Sequence, residues 1–138
     1  MRTIKFRGKP RENGKWYYGS LVYSDEIDAA IYFQIGSGLV KTMDRVYVNP
    51  ETVGQFTGLY DCDGKEIYEG DVLRLGNSPS GVCEVKWNES LAAICIQFFF
   101  ENKVGTRPLG GWVKCERKVE VIGNIFDNPE LLKGGENE

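Results

Sequence analysis

Residues Val53 to Leu75 read VGQFTGLYDCDGKEIYEGDVLRL, and this stretch decides the fold class. Turn signals alternate with short apolar runs. Asp63-Gly64 sits between Gln55-Phe56-Thr57 and Glu66-Ile67-Tyr68, the arrangement of a β-hairpin. Gly70-Asp71 then turns the chain into Val72-Leu73-Arg74-Leu75, where another strand opens. Asp63, Gly64, Gly70 and Asp71 are therefore structural turn residues: Asp bonds the local backbone and Gly admits positive φ. The Asp71 carboxylate is expected to cap backbone N–H groups at the turn entering the Val72 strand. Nothing in the stretch is a reaction centre.

Upstream, Ile4-Lys5-Phe6-Arg7 alternates apolar and basic residues, as a half-buried strand does. Asn13-Gly14 signals a hairpin that returns through Lys15 to Tyr23. Trp16 and Tyr18 share one face of that strand, and Leu21 joins them after a bulge at Gly19. Ser24 to Asp28 reads as a loop and Ala30 to Ile35 as a third strand stopped by Gly36-Ser37-Gly38. Val46-Tyr47-Val48 is a strand fragment ended by Asn49-Pro50, because proline cannot donate to a ladder.

Downstream, Gly76 to Gly81 is a loop, followed by strands at Val82 to Trp87 and Ala92 to Phe100. Glu101 to Gly111 reads as a loop, Trp112-Val113 resumes the sheet, and Val119 to Ile125 closes it. Asn128-Pro129-Glu130 starts one helical turn with Asn128 as N-cap, and Gly134 to Glu138 is a disordered tail.

Many short strands with turns between them predict an all-β fold. The tract from Gly70 through Phe100 looks like the middle of an SH3-like barrel. The expected organisation is an N-terminal β lobe over residues 1–48, an SH3-like module over 49–132 and a tail over 133–138, in one compact unit. A length of 138 residues, 41% of them hydrophobic, buries one proper core. The formal charge of −3 and a pI near 5.1 argue against a general polyanion binder. The longest apolar run, Leu91 to Phe100, is strand length and far short of the roughly 20 residues that span a bilayer. Residues after Met1 alternate in character and form no signal peptide, so a cytoplasmic protein without a membrane partner is expected. Cys62, Cys83, Cys95 and Cys115 are widely spaced and histidine is absent, so free thiols are expected and no metal site.

IKFRGK at Ile4 to Lys9, WYYGS at Trp16 to Ser20, VGQFTGLYDCDGKEIYEGDVL at Val53 to Leu73, and VIGNIFDNPELL at Val121 to Leu132 together resemble the YopX-like family of phage and prophage proteins. The resemblance covers the chain from residue 4 to residue 132. It implies an SH3-like barrel component, a phage or prophage origin and hence a bacterial host cell. The family is uncharacterised, so the resemblance brings no activity and no functional residues.

Catalytic readings fail by absence. Without histidine, Ser-His and Cys-His pairs cannot be built. Glu66 and Glu69 point to opposite faces of a strand, so no shared acid–base site is implied with Asp71. Aligning Gly64 with the invariant glycine of a calcium loop puts Leu59 and Gly70 at the first and last ligand positions, which rejects an EF-hand. No phosphate-binding glycine motif appears, so no cofactor is expected. The chain reads as a non-enzymatic module that binds a host or phage protein. The alternative is nucleic-acid contact through Lys5, Arg7, Lys9, Arg11 and Lys15, with Trp16, Tyr17 and Tyr18 as stacking partners. Net acidity favours the protein-binding reading. A homo-oligomer is also expected, because Tyr17 points opposite to Trp16 and Tyr18 and leaves large rings on both faces of the N-terminal sheet.

Overall fold

The computed structural model describes residues 1–25, 27–76, 81–100, 103–113 and 118–133. Cys115 and the expected disordered tail at Gly134 to Glu138 lie outside them. The strands are β1 (Phe6–Lys9), β2 (Tyr17–Ser24), β3 (Ile27–Ser37), β4 (Val40–Tyr47), β5 (Asn49–Tyr60), β6 (Glu66–Tyr68), β7 (Asp71–Leu75), β8 (Val82–Asn88), β9 (Ala93–Phe100), β10 (Lys103–Pro108) and β11 (Val119–Asn124). Two short helices complete the described elements, α1 (Leu109–Val113) and α2 (Glu130–Lys133). The expected all-β class holds. The chain divides into two compact units, Met1–Phe56 and Thr57–Glu138. The division falls within β5, beyond the Asn49-Pro50 position that the sequence suggests.

In the first unit the strand order is β4-β3-β2-β1-β5, with antiparallel pairings throughout. Ala29, Ile31 and Val48 are fully buried, with Phe6, Tyr17, Leu21, Val46 and Val53 packed against them. Tyr17 therefore faces the core, where its ring lies 5.6 Å from that of Phe33. Burial alternates without a break through Gly19, so Leu21 shares the inner face with Tyr17 and not the Trp16–Tyr18 face. Gly19 is there for room: a Cβ would collide with the Tyr32 carbonyl oxygen on the neighbouring strand. The irregularity expected at Gly19 sits instead between Val22 and Ser24. Pro50 is accommodated near the start of β5, where the ladder to β1 shifts register. The Thr52 hydroxyl repairs that shift, accepting the Lys9 N–H at 3.0 Å and donating to the Asn49 carbonyl at 2.6 Å.

The second unit holds an open five-stranded sheet in the order β10-β9-β8-β7-β11. Alternate residues Leu73, Leu75, Cys83, Val85, Ile96 and Phe98 build its core with Ile67, Leu109 and Val119. Two elements differ from expectation. Residues 103–108 form an edge strand, and Leu109 to Val113 form a helical turn that plugs Leu109 into the core, where the sequence suggests loop and strand. Asn128 does not cap α2 with its side chain; its Oδ1 accepts the Asn124 N–H at 3.3 Å, while its carbonyl accepts the Leu131 N–H.

The Asp63-Gly64 hairpin is present, closed by Asp61 N–H to the Lys65 carbonyl at 2.8 Å, with Gly64 at φ 81°. Its organiser is the buried Asp61. Oδ1 accepts the N–H groups of Asp63 and Lys65, each at 2.9 Å, and Oδ2 accepts that of Val121 on β11 at 3.0 Å. Asp71 Oδ2 accepts the Tyr68 N–H at 2.7 Å, so its carboxylate caps a backbone N–H of the turn that enters β7, as the sequence suggests. Burial pushes the Asp61 carboxyl up, but the bonds from Val121, Lys65 and Asp63, with the Lys65 charge, outweigh it and hold the group below its ordinary value.

A carboxyl depressed in the folded state contributes stability that is complete above its unfolded pKa and lost as pH falls through its folded one. Asp61→Ala is expected to cost about 2–3 kcal/mol in urea denaturation, because charged hydrogen bonds are lost and N–H groups are left unmet. Lowering the pH from about 6 to 3 should destabilise the wild type more than Asp61→Asn. Equal acid sensitivity of the two would dismiss Asp61 as the linked group.

Candidate functional site

Residues directly opposed in an antiparallel ladder point to the same face. The pairs Arg7↔Tyr18, Ser20↔Tyr32, Tyr32↔Arg45 and Ala30↔Tyr47 therefore define the outer face of the first unit's sheet. Lys9 belongs there by alternation with Arg7, and Lys41 and Met43 by alternation with Arg45. Lys5 and Trp16 join it through ring contacts. The Lys5 Nζ lies 5.5 Å from the Phe56 ring centre; the Arg7 guanidinium and Lys9 Nζ lie 4.6 and 5.6 Å from that of Trp16.

The outcome is a surface of interleaved cations and aromatic rings. By register Asp44 lies opposite Phe33 and Glu51 on the side of Val53, although Asp44 also borders the cleft around Arg45. Asp28, at the start of β3, is paired with Arg11 at 3.6 Å. Charge is also divided along the chain: residues 1–56 carry eight Lys/Arg against six Asp/Glu, and residues 57–138 carry nine against fourteen. The net −3 thus conceals a cationic first unit and an anionic second one.

The sequence-derived candidates separate accordingly. Lys5, Arg7, Lys9 and Trp16 are brought together on the outer face. Arg11 is engaged with Asp28. Tyr17 is in the inner packing, with the Lys15 Nζ 5.6 Å from its ring centre. Arg7 is only 6% exposed, so it supplies positive potential more than direct contact. Tyr32, Lys41, Arg45, Tyr47 and Phe56 were not recognised as site residues. A period-two signal was present at Lys41, Met43, Arg45 and Tyr47, but strand β4 is exposed along nearly its whole length and lacks an apolar alternation to announce it. Around Arg45, a cleft of about 410 Å³ is lined by Tyr32, Met43, Asp44, Arg45 and Tyr47.

Tyr68 donates to Glu66 at 2.9 Å, and Asp71 holds the Tyr68 N–H. Among the described residues no cluster of three or more His, Cys, Asp or Glu could hold a metal ion. Cys62, Cys83 and Cys95 are free thiols. Burial pushes Cys83 up to about 12 and raises Cys95 as well. Cys62 is raised by desolvation and then by Asp63, Asp61 and Glu120. None of these three is biased toward the thiolate that nucleophilic chemistry needs. No helix among the described residues is long and apolar enough to cross a membrane.

Comparison with known proteins places the chain. A family model described as YopX protein matches residues 5–133. The SPbeta prophage-derived uncharacterized protein YopX of Bacillus subtilis strain 168 is 32% identical over 74 residues. That alignment covers 51% of this chain and 53% of the relative, so the chain spans about half the length of the curated relative it matches. The crystal structure of protein EF1440 from Enterococcus faecalis superposes with a TM-score of 0.52 at 21% identity, covering 96% of this chain and 99% of that one, a likeness of fold.

The thiols give a direct check on this assignment of groups. With iodoacetamide at pH about 8, native protein should be alkylated at the exposed Cys62, while Cys83 and Cys95 stay unmodified until denaturant is added. Peptide mass mapping reads this out, and rapid native labelling of Cys83 would contradict its burial.

Proposed function

The chain belongs to the YopX protein family, and from that membership we propose that it is a non-enzymatic phage or prophage accessory protein that holds single-stranded nucleic acid on the outer face of its first sheet. The observation that carries this reading is the segregation of Lys5, Lys9, Lys41 and Arg45 with Trp16, Tyr18, Tyr32 and Tyr47 on one sheet face, with Arg7 and Phe56 buried on the same side. Overall acidity weighs against a polyanion partner only while charge is mixed. Once cations gather on one face, counterion release supplies affinity, and interleaved rings supply stacking that tolerates any base. Single strands suit the face better than a duplex, because only unpaired bases expose their ring faces. A cytoplasmic location in a bacterial host fits this role.

The same segregation disfavours self-association through this face. A two-fold contact would set each copy's cations against the other's, and like-charge juxtaposition opposes such an interface. A protein-binding reading keeps one specific support, the β4 edge. Val40, Met43 and Tyr47 are exposed along it, with Leu39 in the adjoining turn, and an edge strand can accept a partner strand. The SH3-like reading of the second unit is supported by its strand order and by α1 falling between β10 and β11.

Fluorescence anisotropy with single-stranded oligonucleotides at about 50 mM salt tests the main reading. Micromolar affinity is expected, with log K falling against log salt by about 0.7 for each phosphate contacted. The double variant Lys9→Glu/Lys41→Glu should weaken binding by at least about tenfold and flatten that slope. No binding by the wild type at tens of micromolar would overturn the reading. Sedimentation equilibrium separates the alternative: a 15.6 kDa monomer throughout that range would exclude self-pairing at the β4 edge.

A further inference from the structure

We propose that the cleft around Arg45, between β3 and β4, is a nucleotide-sized subsite in which the Arg45 guanidinium takes a phosphate and the Tyr47 ring stacks the adjoining base. The inference rests on the reading of the outer face as a single-strand platform and says where on that platform a nucleotide is gripped. At about 410 Å³ the cleft lies within the range of small-ligand sites. Tyr32 is directly opposite Arg45 across the ladder, and Met43 and Tyr47 flank Arg45 on its own strand, so one cation is set among two phenols and a thioether.

The guanidinium lies 5.9 Å from the Tyr47 ring centre and interacts with the side chains of both Tyr47 and Tyr32. It ion-pairs with no carboxylate among the described residues. Asp44 lines the cleft too, but its Oδ1 accepts Arg45's own backbone N–H at 2.8 Å and its register places it opposite Phe33.

Arg7 and Lys9 both lie over Trp16, whose ring is half-buried, and Lys15 lies over the inward-packed Tyr17. Tyr47 is 52% exposed and Arg45 is exposed beside it, so a ligand can reach both side chains. A planar guanidinium beside an aromatic ring matches the two chemistries of a nucleotide, a phosphate and a flat base.

The test separates charge from stacking by salt dependence. Binding of a fluorescent oligonucleotide of about 12 residues is titrated across about 50–200 mM salt. Arg45→Ala should lower low-salt affinity by about fivefold or more and reduce the salt slope by about 0.7, the value of one single-strand phosphate. Arg45→Lys should restore the slope without the full affinity. Tyr47→Leu should lower affinity by about tenfold with the slope unchanged. Both side chains are exposed, and an unchanged urea midpoint shows that each variant is folded. Wild-type binding that neither variant alters in affinity or slope would overturn this subsite and leave the platform standing. Absence of wild-type binding would overturn both. Loss of affinity in Arg45→Ala with an unchanged slope would overturn the phosphate contact.

Discussion

One carboxylate holds the second unit's sequence-distant parts in register. Asp61 accepts three backbone N–H bonds, two from its own hairpin and one from Val121, sixty residues on. The Cys62 N–H adds a bond to the Val119 carbonyl at 2.8 Å beside it. A hairpin tip is ordinarily a surface feature with local bonds only. Here it is a clamp, because a buried carboxylate with unmet lone pairs would be costly, and β11 supplies the donor that completes the set. Where β11 is placed decides the rest: it pairs with β7, and Val119 and Val121 then reach the core from that edge. The turn motif's apparent emptiness of chemistry is thereby explained. Its buried acids, Asp61 and Asp71, are committed to backbone N–H groups, and Glu66 to the Tyr68 hydroxyl.

The first unit follows a different constraint, the strict two-residue period of a strand. Phe6, Tyr17, Leu21, Ile31 and Val46 must lie inside, so their sequence neighbours must lie outside. Those neighbours are Arg7, Tyr18, Tyr32, Arg45 and Tyr47. The cationic aromatic face is thus produced by the same alternation that builds the core, and it needs no separate folding device. Cation–ring contacts then limit how far the basic side chains wander. Each such contact contributes only about 0.5–1 kcal/mol at exposed sites, but it removes rotamer freedom that a ligand would otherwise have to take away.

What could be read in advance and what could not divides along one physical line. Strands with neighbours on both sides, such as β1, β2, β7, β8 and β9, announce themselves through buried alternate residues, and the sequence reading found them. Strands at sheet edges, β4 and β10, carry KTMDR and KVGTRP, where exposure frees the pattern from any apolar requirement. The sequence suggests loop for β10 and, of β4, a strand only at the Val46-Tyr47 end. Without the first part of β4, Lys41 and Arg45 have no place in the sheet, so the basic patch looks confined to the N-terminus. α1 escaped for another reason: Leu-Gly-Gly-Trp-Val has poor helix propensity, and burial of Leu109 rather than local preference holds the turn. At Gly19 the reading erred in kind, taking a residue required by close approach of the Tyr32 carbonyl for a bulge, which moved Leu21 to the wrong face.

Net charge says little about any single face, and the reason is geometric. Screening confines exposed charges to an influence of about 10 Å at 0.1 M salt, so a ligand on the first unit's outer face responds to the charges there and little to those farther away. A total of −3 averages over both units and describes neither. Counterion release depends on the cations that meet phosphates, not on the sum over the chain.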